Sequence, residues 1–285
     1  NFNRYYDHAY KLTPEGTKDH FRTSSNHNFI INHTLSNSTF HTIKFAYNYS
    51  EFNGYLFKDP LDERYVNPEF GLPASGFTFR SGGNHDDRYK RYTETLIGKW
   101  DLNSQITNQH NLGIGIIFKQ HKLYNHWTKF QFGTNLSGMQ TIIYPADTSF
   151  QFVEYEKNPI EFSAYIQDKM EYEDFIVNIG LRFDYFDPQT NVPSDVKNPH
   201  YNDLFPFGNK KAETRTQLSP RLGIAFPISS KGVIHVSYGH FFQIPTFENL
   251  YLDIKDFQDG TTRFLINQAG QNLESVVGNP ELDAE

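Results

Sequence analysis

The sequence has no cysteine among its 285 residues, which excludes disulfide bonds, thiolate metal sites and cysteine nucleophiles within it. It also has no run of about 18 apolar residues, so no transmembrane helix is predicted. Basic residues are few, since 26 lysines and arginines stand against 33 aspartates and glutamates, for a net charge of −7. Because no basic stripe is present, a nucleic-acid partner is not expected.

Signatures of known catalytic and cofactor chemistry are missing as well. There is no Gly-x-Ser-x-Gly, no His-Glu-x-x-His and no phosphate-binding glycine-rich motif. Ser194 and Lys197 form one Ser-x-x-Lys pair, but it lies in a proline-flanked loop without the companion motifs of that chemistry. The sequence therefore predicts no enzyme, no cofactor and no bound metal.

Aromatic residues are abundant. They make up 16% of the chain, with 27 Phe and 18 Tyr, although the hydrophobic total is only 37%. Aromatic rings fit the pleated, half-buried surface of a β-sheet, and they also form the two interfacial girdles of membrane β-barrels.

Apolar residues alternate with polar or small ones over several stretches, the pattern of a β-strand with two different faces. In one stretch the odd positions from Phe175 to Tyr185 are apolar, and Asn178, Arg182 and Asp184 lie between them. A barrel strand shows lipid only every second side chain, so its mean hydropathy stays low. Similar alternation occurs over residues 41–49, 112–118, 218–228 and 234–238.

The connections alternate between short polar turns and long loops. Short turns are predicted at residues 36–38, 108–110, 171–174 and 229–232, and long connections at residues 53–88, 131–159, 187–214 and beyond 245. Outer-membrane barrels have short turns at the periplasmic end and long loops outside. The sequence thus predicts an all-β fold, an antiparallel transmembrane β-barrel segment of about eight strands in four hairpins.

A soluble β-sandwich or β-propeller would also show alternation and turns. A propeller should repeat a blade signature every ~40–50 residues, and no such repeat is found. Connections in a sandwich would not sort so cleanly into alternating short and long classes. The soluble all-β interpretation stays open as an alternative.

Several segments resemble TonB-dependent outer-membrane receptors, particularly those of Bacteroidetes-type bacteria. The longest is the stretch from Ser237 to Tyr251, an aromatic strand that runs into a proline, an acidic residue and Leu-Tyr. Residues 277–285, VGNPELDAE, are similar to the family's Gly-Asn-Pro-x-Leu-x-x-Glu, although Asp283-Ala284 replaces the commoner Lys-Pro. Further barrel-strand likenesses occur at residues 164–168, 180–184 and 219–223. The resemblance covers residues 160–285, whereas the first half fits by pattern only.

The resemblance implies a barrel of 22 strands with an internal plug domain. Residues 1–285 would all be part of that single barrel domain, without the plug and the C-terminal strands. The implied function is energised uptake of a scarce solute across the bacterial outer membrane. Implied partners are outer-membrane lipid, the protein's own plug, a TonB-type energy-transducing protein, and a surface lipoprotein or other complex subunits. Alternatives are a structural barrel subunit without transport and a soluble glycan-binding surface protein.

Five charged residues fall on the polar face of the predicted strands. In a barrel of this family that face meets the plug, and the alternative is a hydrated wall without a partner. These plug-facing candidates are Lys44, Lys119, Arg182, Asp184 and Arg221.

A second group of residues is a candidate for solute contact at the outer loops. His85 and Asp86 lie in a glycine-rich loop, where a solvated turn is the simpler interpretation. His121, His126 and Trp127 lie near the predicted outer end of a strand, where an interfacial aromatic girdle is the alternative.

Overall fold

The computed structural model describes residues 2–68, 79–147, 149, 151–193, 209–229 and 232–251. For residues 192–193 and 209–210 it describes the backbone alone. The Gly-Asn-Pro motif at 277–285 and most of the predicted 187–214 connection lie outside these residues.

Within the described residues most of the chain is β-strand and very little is helix. In chain order the strands are β1 (Phe2–Asn3), β2 (Asp19–Ser36), β3 (Thr39–Tyr55), β4 (Asp87–Gln105), β5 (His110–Lys129), β6 (Gln131–Thr134), β7 (Gln140–Ile143), β8 (Phe152–Lys157), β9 (Ile160–Glu171), β10 (Ile176–Asp187), β11 (Asn191–Pro193), β12 (Asn209–Lys211), β13 (Arg215–Ser229) and β14 (Gly232–Gly239). Two short 3₁₀ helices, His8–Tyr10 and Pro14–Gly16, precede β2, and α1 (Phe247–Tyr251) follows β14. No helix of the described chain is long and apolar enough to cross a membrane.

Eight long strands form one antiparallel sheet in the order β2-β3-β4-β5-β9-β10-β13-β14, with β1 beside β2 and β8 beside β5. They make four hairpins, β2–β3, β4–β5, β9–β10 and β13–β14, whose turns match the predicted short connections. The described parts of the long connections lie at the opposite end. The predicted all-β segment of eight strands in four hairpins is therefore confirmed, and among the described residues the sheet is open at both edges.

The cross-strand register gives the sheet one apolar face and one polar face. Leu181 of β10 is opposite Ile166 of β9, and Ile179 is opposite Leu222 of β13 on the same side. These apolar side chains are exposed, Ile179 by 52%. Neither a second sheet nor a helix of the described chain covers this face, which matches the lipid-facing side of the predicted barrel wall, and we call it the outer face.

The apolar band of the outer face crosses the strands obliquely. In β3 the band centres on Phe45. Following the paired residues from strand to strand leads from Phe45 to Tyr185 of β10. In β14 it centres on Val236, which is level with Val177 of β10, eight residues away from Tyr185. Over the six strand steps between β3 and β14 this slope corresponds to a strand tilt of roughly 40°, as transmembrane barrels require.

Above the band, the loops at the long-connection end pack into a cap, formed by residues 4–18, 56–68, 79–86 and 130–147. Its small core contains Tyr65, which is fully buried, with its ring centroid 4.9 Å from that of Phe130. Backbone bonds tie the segments together, for example from His85 N–H to Gly16 O at 2.8 Å. Burial raises the pKa of the Tyr65 phenol, because the ionised form would lose its hydration.

Candidate functional site

The polar face of the wall holds all five residues predicted to face a plug. The cross-strand pairings place them all on the same face of the sheet, because residues paired across neighbouring strands point to the same side. These five residues are Lys44, Lys119, Arg182, Asp184 and Arg221. This face is opposite to the lipid-facing one, and we call it the lumenal face. The strict alternation of side chains along each strand accounts for this shared face, whereas contact with a plug stays a prediction.

Arg182 and Asp184 form one polar network on the lumenal face. The Arg182 guanidinium donates to the Asp184 carboxylate at 2.8–2.9 Å, and Ser163 of β9 donates to the same carboxylate at 2.7 Å. Asp184 is only 5% exposed, so its charge is compensated by partners from its own strand and the next one. The charges of Arg182 and Asp184 are therefore compensated within the wall.

Lys119 belongs to a second network, which also contains His121. Glu161 of β9 accepts from Lys119 Nζ at 2.7 Å and from His121 Nε2 at 2.8 Å. The other ring nitrogen of His121 lies 3.0 Å from Thr95 Oγ1. Glu161 therefore holds two β5 side chains in place. His121 is only 6% exposed and is a buried residue of the lumenal face.

Arg221 lines a lumenal pocket of about 670 Å³. Three residues without side chains, Gly180, Gly223 and Gly239, lie along it, and Asn178 also contributes to its lining. The Arg221 guanidinium lies 5.1 Å from the centre of the Phe241 ring, and no described carboxylate pairs with it. We call this the arginine pocket. It offers hydrogen-bond donors and positive charge.

Lys44 is a second lumenal cation without an ion pair among the described residues. It is directly opposite Lys99 of β4 in the ladder, and Lys99 itself bonds Asp101 at 2.8 Å. Like charges directly opposite one another destabilise an antiparallel pair. A carboxylate from outside the described wall would relieve that repulsion.

The segment after β14 folds back over the lumenal face as a strap, residues 240–251. Its side chains Leu250 and Tyr251, both fully buried, join Leu123 of β5 and Phe186 of β10 in a hydrophobic cluster. The Tyr251 hydroxyl donates to the carbonyl of Pro188 at 2.7 Å. Starting from β14, the strap therefore crosses the neighbouring strands on the lumenal face and reaches β5.

The strap also covers His121. The Phe247 ring lies edge-on to the imidazole with centroids 4.8 Å apart, and Glu248 is 3.7 Å from Arg91 of β4. His121 is thus enclosed between the wall and the strap. The sequence predicted His121 as a candidate for solute contact at the outer loops, but it does not lie among those loops.

The other outer-loop candidates separate into two places. His85 is held inside the cap, 3.2 Å from Asp7 and accepting a bond from Lys18 N–H at 3.3 Å. Trp127 is nearby, and its indole N–H donates to Asp87 at 3.3 Å. Both candidates therefore lie where the lumenal face meets the cap, a place that we call the lumenal mouth. The Lys18–Asp87 ion pair joins them.

Asp86 and His126 have other surroundings. Asp86 is half-buried in the cap, and desolvation raises the pKa of its carboxyl although Lys129 lies 3.8 Å away. His126 points to the outer face, where it contacts the hydroxyl of Tyr144 at 3.2 Å and the ring of Phe152. The structure therefore does not bring His126 together with the other candidates for solute contact.

Three residues of the site were not singled out from the sequence. Glu161 and Asp101 anchor the networks of the lumenal face, and Tyr165 donates to Asp101 at 2.6 Å. Each follows the two-residue alternation of its strand. The parity of a position, that is, whether its number is odd or even, identified Arg182 as a residue of this face, and the same reasoning could have identified these three. Among the described residues no group of three or more His, Asp or Glu could hold a metal ion.

Comparison with known proteins gives a family and several solved structures of similar fold. The family model described as "TonB dependent receptor-like, beta-barrel" matches residues 1–285. Among solved structures, one described as "Copper transporter OprC" matches with a TM-score of 0.52 and 16% identity, over 82% of this chain and 33% of that one. At such identity the likeness shows the fold alone, and this chain corresponds to about a third of that transporter's length. No curated protein sequence matches.

The family match covers every residue, and the sheet has the apolar outer face and the polar lumenal face of a barrel wall. Members of this family are outer-membrane receptors and transporters rather than enzymes, in agreement with the prediction from the missing catalytic motifs. They work in general with a plug domain and a TonB partner. The chain belongs to the TonB-dependent receptor β-barrel family.

Proposed function

We propose that this chain is part of the barrel wall of a receptor that takes up a scarce solute with energy from the inner membrane. All of residues 1–285 would be barrel, and the plug would occupy the lumen. The observation that carries the proposal is the pair of lumenal cations, Lys44 and Arg221, which have no carboxylate partner among the described residues.

The lumenal networks differ in what they can do for a plug. Arg182, Asp184 and Lys119 are already paired within the wall, so they provide a rigid polar surface with spare lone pairs and N–H groups. Arg221 and Lys44 are available for charged partners. We therefore propose that acidic side chains of the plug dock at these two positions, with charge complementarity that fixes the plug's orientation.

Solute contact is proposed at the lumenal mouth. Trp127 remains the best of the sequence candidates, because it lies on the lumenal face beside the Lys18–Asp87 pair. His85 and His121 have their ring nitrogens engaged by neighbouring groups, so their role would be to position the cap and the wall. The imidazole of the remaining histidine candidate, at position 126, faces outward and would not reach a solute in the lumen.

A structural barrel subunit without transport is the second candidate. It would have a water-filled lumen, and Arg221 and Lys44 would then meet solvent and counter-ions. The two functions differ in what touches the lumenal face, which a crosslinking experiment can measure.

The test uses the full-length protein in its native outer membrane, with a photocrosslinking amino acid at position 221 or, as a matched control, at Leu222. The two positions are adjacent, but Leu222 faces lipid. We expect position 221 to crosslink to peptides of the plug, and position 222 to crosslink to lipid. The crosslink from 221 should also depend on the TonB partner and on the proton gradient.

A matched pair at Lys44 and Phe45 repeats the comparison on a distant strand. If position 221 and position 44 both yield no plug peptide while the protein is correctly inserted, the plug docking proposal is refuted. If the plug crosslinks form but do not depend on the proton gradient, the result would contradict energised uptake and favour the structural role.

A further inference from the structure

The lipid-facing surface carries a carboxylate where a side chain without charge would be expected. Asp168 of β9 is level with Leu112 of β5 and with Ile179 of β10, both on the outer face. Ionisable side chains on the lipid face of a barrel cost free energy that grows with depth in the bilayer. Asp168 therefore needs a compensating partner.

The described chain compensates Asp168 only in part. His110, the first residue of β5, donates or shares a proton from Nδ1 to Oδ2 of Asp168 at 2.7 Å. The other carboxylate oxygen, Oδ1, is covered by its surroundings and has no hydrogen-bond partner among the described residues. The side chain as a whole is still 27% exposed, so a donor from outside meets the carboxylate at its exposed part, beside His110, and not at the covered Oδ1.

Asp168 borders an apolar groove of about 460 Å³ on the same face. The groove is lined almost wholly by carbon atoms, and its walls include Leu112, Ile166, Ile179 and Leu181. Its dimensions and chemistry suit a stretch of acyl chain. It is continuous with the lipid-facing band, where a membrane lipid is the expected occupant.

The position along the strand selects the leaflet. Asp168 is three residues before Glu171, where β9 ends at a short turn, and His110 follows another short turn. Three residues of tilted strand place the carboxylate within ~10 Å of the periplasmic end of the wall. A lipid whose headgroup meets Asp168 therefore belongs to the periplasmic leaflet.

We infer that Asp168 and this groove bind a phospholipid with a primary ammonium headgroup, such as phosphatidylethanolamine. The ammonium would donate N–H groups to the Asp168 carboxylate, and one acyl chain would lie in the groove. A quaternary choline headgroup has the same charge but no N–H, and an anionic glycerol headgroup would be repelled. The site thus distinguishes lipids by hydrogen-bond donors as well as by charge.

The test measures lipids retained by the purified full-length barrel protein in native mass spectrometry, after loading with phosphatidylethanolamine, phosphatidylcholine or phosphatidylglycerol of matched chains. The variant Asp168→Asn keeps an acceptor for His110 but loses the charge. We expect it to lower ethanolamine-lipid retention about tenfold relative to the other two lipids. The control Glu171→Gln removes one charge nearby on the lumenal face and should leave the ratio unchanged.

A second variant tests the groove without touching the carboxylate. Ile179 is half-exposed, so Ile179→Trp can fill the groove without disturbing the ladder, and it should also reduce retention of the ethanolamine lipid. If Asp168→Asn changes all three lipids equally or none, the proposed headgroup recognition is refuted. If Ile179→Trp has no effect, the groove is not the acyl site and the inference is likewise refuted.

Discussion

The strap is held to the wall mainly by buried apolar contacts, and deleting one of them should release it. Leu250 is 1% exposed and lies against Leu123 and Phe186. Truncation of such a leucine to alanine costs about 2–5 kcal/mol, because transfer free energy is lost and a cavity remains. In Leu250→Ala this cost falls on the strap alone, since the long strands keep all of their ladder bonds.

The readout is hydrogen exchange of the strap in the intact protein. The amides of Asn249 and Leu250 donate to the carbonyl of Thr246, at 2.9 and 3.3 Å, and they exchange when the strap opens. A loss of about 2–5 kcal/mol corresponds to exchange that is roughly 30- to 5,000-fold faster. Tyr251→Phe, which leaves the Pro188 carbonyl without its donor, should give a smaller effect of about 1–3 kcal/mol.

Glu248→Gln in the same helix is the matched control. The Glu248 side chain is 68% exposed and its distance to Arg91 is 3.7 Å, so the substitution should change exchange by no more than about twofold. Equal exchange in Leu250→Ala and the parent protein would refute the reasoning, because the cluster would then not anchor the strap. An equally large effect of Glu248→Gln would refute it in another way, by showing that charge dominates.

Two further predictions concern the wall and the cap. Gly115→Ala should lower the temperature at which the folded barrel loses its heat-modifiable gel migration, because a Cβ there would overlap the Tyr165 ring and lie 2.8 Å from Asp101 Oδ1. The loss should be about 1 kcal/mol or more, and an unchanged temperature would contradict the tight contact. Asp86→Asn should stabilise the cap by up to about 1 kcal/mol at neutral pH. Burial raises the pKa of Asp86 in the folded state above its pKa in the unfolded state. The cap of the parent protein should therefore gain stability as pH falls through the folded-state pKa. This gain should be complete below the pKa of the unfolded state. The variant should lose this pH dependence, as measured by exchange of cap amides, and a dependence that persists would assign it to another group.

Local chemistry in the sequence is sufficient to predict the sheet. Side chains of a strand alternate strictly, so the parity of Arg182 and Asp184 puts them on one face regardless of what the rest of the chain does. Short polar turns fix antiparallel neighbours, which is why the four hairpins can be predicted with their turns at one end. Both signals depend only on residues close together in the chain.

The surroundings of the candidate site depend on contacts that no local pattern encodes. His121, His126 and Trp127 form a group by closeness in sequence, yet the odd parity of His121 and Trp127 already separates them from His126. Parity cannot show that β5 is 20 residues long, nor that His121 lies below the mouth. The strap that covers His121 returns from more than a hundred residues away, and sequence spacing gives no measure of such a contact.

The two faces of the wall use opposite ways to satisfy polar groups, and this difference explains where a partner is needed. On the lumenal face most charges of the described residues are compensated within the wall, either two residues along the same strand, as Arg182 and Asp184 are, or one strand away, as Glu161 is by Lys119 and His121. Arg221 and Lys44 lack such neighbours in the described wall, and water in the lumen makes that tolerable until a partner arrives. On the outer face water is scarcer, and the Asp168 carboxylate lies beside an apolar groove near the periplasmic interface, so it has less of such interim solvation. An uncompensated charge in the lumen is therefore consistent with a partner that comes and goes, whereas one facing lipid calls for a partner that stays bound.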